Sequence, residues 1–163
     1  MKKRVYIETS IVSYLTAKPS RDAIRSVHQK ITREWWKRSR NEFDLRVSQF
    51  VLDEAAKGDV EAAARRLVVL RAIPLLSVTE EAIALGDELV RNGLLPEKAG
   101  ADALHLAVAA IHGVDFLLTW NCRHLANAKV KARVGRFARA IGLELPVICT
   151  PEELVDEEAQ DDF

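Results

Sequence analysis

The sequence predicts a single α/β domain, a central, mainly parallel sheet of four to five short strands with helices on both faces. Three observations predict it. The segments that look like strands are short and almost wholly apolar, as in "VYI" at 5–7, "DFLLT" at 115–119 and "PVICT" at 146–150. The stretches between them carry apolar residues at three- and four-residue spacing, the period of amphipathic helices. Short apolar strands that alternate with helices belong to a sheet covered on both faces. Finally, 163 residues without a long linker or repeat fit one domain with one core.

Each element follows from local chemistry. Val5, Tyr6 and Ile7 form a strand that stops at Glu8. Ser20, after Pro19, can cap a helix that carries Ala23, Ile24, Val27, Ile31 and Trp35 as core positions, with Trp35 packing rather than stacking on a base. "FDLRVS" at 43–48 alternates as a strand does. Helices over about 49–57 and 60–72 are broken near Gly58 and Asp59, and Pro74 precedes the short apolar run "LLSV". Thr79 caps a helix that ends near Gly93; Pro96 opens the next, which Gly113 closes. Residues 129–141 put Val130, Val134, Phe137, Ala138 and Ile141 on one helical face and the basic residues mostly on the other. Pro151 starts a terminal turn of helix. The domain is expected over 1–155, followed by an acidic tail at 156–163.

Composition narrows the function classes. The 48% hydrophobic and 29% charged content is that of a soluble globular chain. No apolar run approaches the ~20 residues of a membrane span, and the run after Lys2, Lys3 and Arg4 is too short for a signal peptide. Cys122 and Cys149 stand far apart with no CxxC pair, which argues against a disulfide framework or zinc site and for a reduced, cytoplasmic setting. Formal net charge is zero, yet no acid occurs from Phe116 to Leu143, where Arg123, Lys129, Lys131, Arg133, Arg136 and Arg139 lie. Such a local basic surface can attract a polyanion; a solvated helix face would show the same pattern.

The acids carry the chemistry. In an open parallel sheet, ligands bind beyond the carboxyl ends of the strands, and Glu8 falls at such an end. Burying an unpaired carboxylate is costly, so Glu8 either caps the turn at Thr9 and Ser10 or faces a polar site or metal. Asn121 follows the "DFLLT" strand by two residues. Asp102, in "AGADALHLA", is surrounded by small and apolar residues, which suits an acid aimed at a polar cavity better than an exposed first-turn acid. Glu54 shares a broad helical face with Phe50 and Val51; from spacing alone it is a site residue or a solvated acid. Three carboxylates and an amide make a sparse oxygen cup that suits Mg²⁺ with retained waters. No glycine-rich phosphate loop, GxSxG elbow or HExxH motif competes. His105 and His112, seven apart, make a poor zinc pair and are expected at packed or capping positions.

Taken together, "VYIETSI", "SQFVLDEA", "GADALHLAVAAIHGVDFLLTWN" and "PVICTPEEL" resemble the PIN-domain family of metal-dependent nucleases, and within it the VapC-type toxin ribonucleases of bacterial and archaeal toxin–antitoxin pairs. The resemblance extends to about Val155. The third segment is the most specific and the second is weak by itself. It implies a cluster of acids around Mg²⁺ or Mn²⁺, with Glu8, Glu54 and Asp102 as metal ligands and Asn121 as the residue that orients a ligand or water. Thr9 and Ser10 match small polar positions that shape the site, and Arg123, Lys129, Lys131, Arg133 and Arg136 become candidates to grip an RNA backbone. It also implies an endoribonuclease, a small antitoxin partner and a homodimer contacted through apolar helical surface in the first half of the chain.

Two positions depart from the family pattern. Glu8 stands where aspartate is usual and extends the carboxylate by a methylene. Asn121 stands where many relatives place an acid, which weakens any second metal site. These departures sustain an alternative, a PIN-like domain that binds RNA or a protein without cleaving. A phosphoacceptor receiver domain would also gather acids at strand ends, but the acidic pair it needs near the first strand is replaced by Val5 and Tyr6.

Overall fold

The computed structural model describes residues 1–155; the acidic tail at 156–163, and with it the expected domain boundary, lies outside the described residues. The chain runs β1 (Arg4–Ile7), α1 (Thr9–Thr16), α2 (Ala23–Arg38), β2 (Asp44–Ser48), α3 (Gln49–Ala55), α4 (Val60–Leu70), β3 (Leu75–Leu76), α5 (Glu80–Arg91), α6 (Gly100–Ile111), β4 (Phe116–Leu118), α7 (Ala128–Ala140) and β5 (Val147–Cys149). Short 3₁₀ turns at Arg40–Glu42 and Glu97–Ala99 lead into β2 and α6. The five strands form one parallel sheet in the order β3-β2-β1-β4-β5.

Strand β1 is central, and Val5, Tyr6 and Ile7 are fully buried, as a strand covered on both faces must be. It pairs with β4 through Val5 with Phe116, Tyr6 with Leu117 and Ile7 with Leu118. The ladder then runs past the strand end, where the Glu8 amide donates to the Leu118 carbonyl at 3.1 Å. After β1 the chain adds β2 and β3 on one side and later returns to add β4 and β5 on the other. That reversal opens a crevice between β1 and β4 at their carboxyl ends. Helix α1 packs against α2, α3 and α4, and α5 packs along α6.

The expected caps explain most boundaries. Thr79 caps α5 by accepting from the Ala82 amide at 3.1 Å, and Gly93 ends that helix with φ +67°, a conformation glycine adopts without steric penalty. Three expectations change. The cap of α2 is Asp22, which accepts from the Arg25 amide at 2.8 Å; Ser20 instead accepts from the Asp22 amide. Ala23, Ile24 and Val27 are exposed rather than core, with Ile24 at 70% and Val27 at 54%. The buried face of α2 is Gln29, Thr32 and Trp35, which is stable there because its polar groups are paired. Gln29 bonds Lys18 and Ser20, Thr32 accepts from the Trp120 indole at 2.7 Å, and Trp35 donates to the Leu154 carbonyl at 2.6 Å. Ile141 lies just past α7 and is exposed, so Val130, Val134 and Ala138, with Phe137 partly buried beside them, form the core-facing side there.

Candidate active site

Because α1 starts one residue after β1, Glu8 is both the last group on the sheet edge and the N-cap of the helix. Its Oε2 accepts from the Ser10 amide at 3.0 Å, from the Ser10 hydroxyl and from the Thr119 hydroxyl at 2.9 Å. Its Oε1 has no hydrogen-bond partner among the described residues. A carboxylate only 7% exposed is therefore fixed on one side and uncommitted on the other.

Glu54 is brought in by α3, which follows β2 without a break because Ser48 caps it. Its Oε1 accepts from the Thr9 hydroxyl at 2.6 Å and from His105 Nε2 at 2.5 Å; Oε2 again has no partner among the described residues. Burial pushes this carboxyl up, but the hydrogen bond and charge of His105, the Thr9 hydroxyl and Lys57 outweigh it and hold Glu54 below its ordinary value.

Asp102 lies in the first turn of α6, and its Oδ1 accepts from Asn121 Nδ2 at 2.8 Å. Asn121 is itself anchored: its amide nitrogen donates to the Thr119 hydroxyl at 2.9 Å, and its Oδ1 accepts from the His124 amide at 3.1 Å. A continuous path thus links Glu8, Thr119, Asn121 and Asp102. Burial and the charge of Glu8 raise the Asp102 carboxyl above its usual range, against the Asn121 hydrogen bond and the fields of His105 and His124. Like charges gathered in a half-buried cup produce this sign.

Glu8 and Glu54 meet directly, whereas Asp102 lies outside their 4.8 Å cluster and joins them through Asn121 and Thr119 and the field of Glu8; Thr9 and Ser10 each donate to one of the acids. Donor atoms of Glu8, Glu54 and His105 lie within 4.8 Å of one another. His105, expected as a packing residue, is a member of this cluster; it is buried at 1% exposure, and its Nδ1 lies 2.8 Å from the Tyr6 hydroxyl. Its place three residues after Asp102, on the same side of one helix, is the signal that could have found it. Thr119 and Tyr6 were likewise read only as strand residues. His112 does cap, donating to the Ser77 carbonyl at 2.7 Å.

The basic residues separate. Arg123, Lys129 and Arg133 line an open groove of about 1010 Å³ with His124, Arg91 and Gly100, two residues from Asp102. Arg136 is exposed one turn beyond Arg133. Lys131 points elsewhere, with its ammonium donating to the Ile148 carbonyl at 3.2 Å. Cys122 is exposed, Cys149 is buried, and both are free thiols.

The five-stranded parallel sheet with acids at its central carboxyl edge is a PIN-like fold. Two solved structures share it. VapC20 of Mycobacterium tuberculosis, described as a sarcin-ricin loop cleaving toxin, matches with a TM-score of 0.53 and 16% identity over 69% of this chain and 86% of that one. VapBC2 from Rickettsia felis, solved bound to a DNA fragment from its promoter, matches with a TM-score of 0.56 and 14% identity over 90% of this chain and 98% of that one. No protein-family model and no curated protein matches the sequence.

The donor set of this crevice fits a divalent metal. Glu8, Glu54 and Asp102 each commit one oxygen to protein donors and leave the other without a partner among the described residues. Hard oxygen atoms presented singly suit Mg²⁺ or Mn²⁺ with retained water. A cation would also relieve the repulsion that raises Asp102. Among the described residues, no helix is long and apolar enough to cross a membrane.

Proposed function

We propose that this chain is a Mg²⁺- or Mn²⁺-dependent endoribonuclease that hydrolyses RNA phosphodiester bonds, acting in the cytoplasm as the toxin of a type II pair with a small antitoxin. The observation that supports the reading is the close approach of Glu8 and Glu54 at the β1–β4 crevice, with Asp102 linked to them through Asn121 and Thr119 and each acid keeping one uncommitted oxygen. Those oxygens would hold the metal, directly or through water. When bound, it would acidify a water and neutralise charge that builds on the phosphate. The protein's own part is positional. Ser10 and Thr119 fix Glu8, His105 and Thr9 fix Glu54, and Asn121 fixes Asp102. Arg123, Lys129 and Arg133, along the adjoining groove, would attract the RNA backbone and make binding weaken with salt. The exposed apolar face of α2 is the surface we assign to a homodimer contact.

The test is incubation with a broad RNA pool and Mg²⁺ or Mn²⁺. Fragments should appear with metal, vanish with EDTA and fail to appear with Asp102→Asn. Intact RNA in every metal would reject the nuclease reading in favour of a PIN-like domain that binds RNA or a protein without cutting.

A further inference from the structure

We propose that His105 and Tyr6 form a buried positioning pair that aims Glu54 at the metal cup, and that His105 is not itself a ligand. This rests on the metal-dependent reading above and assigns residues which the acid pattern does not. Helix α3 has only seven residues, and Glu54 sits in its last turn, where a short helix alone holds a side chain poorly. The structure supplies the missing constraint from outside the helix. Glu54 is a carboxylate and has no proton to give, so the 2.5 Å contact is His105 Nε2–H donating to Oε1. On its other side Nδ1 lies 2.8 Å from the Tyr6 hydroxyl, which in turn lies 2.8 Å from Ser48 Oγ, so the ring is held at both nitrogens.

Packing encloses the ring, which is 1% exposed, and the contacts at both nitrogens set its orientation. The Phe50 ring lies 4.8 Å from the His105 ring, and the Tyr6 ring 5.8 Å. A cation cannot lie between Nε2 and Oε1 at their separation. Both donors to Glu54, His105 and Thr9, use Oε1, which leaves Oε2 as its metal-facing atom. The pair therefore ties β1, α3 and α6 together at Glu54. Such outer hydrogen bonds typically govern metal affinity by roughly ten- to hundred-fold.

Mn²⁺ calorimetry on the full chain tests this, with electron paramagnetic resonance of the bound ion and apo melts run alongside. His105→Leu, which fills the space without a donor, should weaken Mn²⁺ binding roughly ten-fold or more. His105→Gln, which keeps an N–H near the Nε2 position, should bind within a few-fold of the parent. Tyr6→Phe should fall between them. In a Glu54→Gln background, His105→Leu should add no further loss, because it acts through Glu54. The bound ion should show no nitrogen hyperfine coupling. Nitrogen coupling, an additive double loss, or full affinity in both His105→Leu and Tyr6→Phe would overturn the positioning role while the nuclease reading stands. A parent chain that binds no Mn²⁺ overturns both.

Discussion

At the scale of single residues, Asp102 is the group whose charge works against the apo fold. Its folded value lies above the unfolded 3.8, so the native state holds the proton more tightly. Stability is then lowest above the folded value and recovers as pH falls through it; below the unfolded value the contribution vanishes. Glu54 has the opposite sign, since its value is lowered. Its stabilisation is present above 4.5 and is lost as pH falls through the folded value. Asp102→Asn keeps an oxygen for Asn121 Nδ2 and removes the charge. In EDTA this variant should melt a few degrees above the parent at neutral pH, with the gain shrinking towards pH 4, and it should lose Mn²⁺ stabilisation. Melts from pH 4 to 8 check it; a lower melting temperature at neutral pH would mean that Asp102 is not strained. The three acids were legible in the sequence because each stands out against apolar or strand-end surroundings. His105 was not, because a lone histidine among leucines and alanines has the same pattern whether it packs or bonds a carboxylate. Nor does spacing reveal that Asn121 spends its amide on Asp102, which takes a contact across nineteen positions.

At the scale of elements, the site depends on how closely α6 approaches α5. Asp102 and His105 flank the contact, and the backbone between them touches Gly86. A Cβ built on Gly86 would meet Leu104 Cα at 3.4 Å and the Ala103 carbonyl carbon at 3.6 Å. Those distances are ordinary contact for a methyl, so Gly86→Ala should be tolerated, and its better helix propensity of about 0.8–1 kcal/mol offsets small adjustments. Gly86→Val carries further atoms into backbone that cannot yield without moving α6. It should lower the melting temperature and weaken Mn²⁺ binding, whereas Gly86→Ala changes neither by much. Equal affinity in both variants would show that the site does not depend on this approach. Elements themselves were largely legible, because capping and turn chemistry is local: Thr79, Gly93 and Gly113 mark ends that need no tertiary information. The facing of α2 was not. Its predicted apolar stripe holds at Ile31 and Trp35 but not at Ala23, Ile24 and Val27, and Gln29 and Thr32 turn inward because partners outside the helix satisfy their polar groups.

At the scale of the whole molecule, the first half of α2 leaves an exposed apolar surface to explain. Ile24 and Val27 stand out from α2, and beside them Val27, Ile31, Trp35, Pro151 and Val155 line a groove of about 430 Å³. Scattered exposed apolar residues are normal; a stripe that continues into an apolar groove is the form an association surface takes. Lys30, Glu34, Arg38 and Glu152 rim it with both signs of charge, which suits a self-complementary contact in which each copy's acids meet the other's bases. The homodimer we propose would bury this face. Val27→Glu places a charge at its centre, and because Val27 is 54% exposed in the single chain the change should cost the monomer little. Light scattering should therefore find a dimer of the parent and an 18.2 kDa monomer of Val27→Glu that keeps its Mn²⁺ affinity, since the α2 face is distinct from the acid crevice. A parent chain that scatters as an 18.2 kDa species at high concentration rejects the dimer itself. A dimer that survives in the double variant Ile24→Glu, Val27→Glu moves the contact elsewhere.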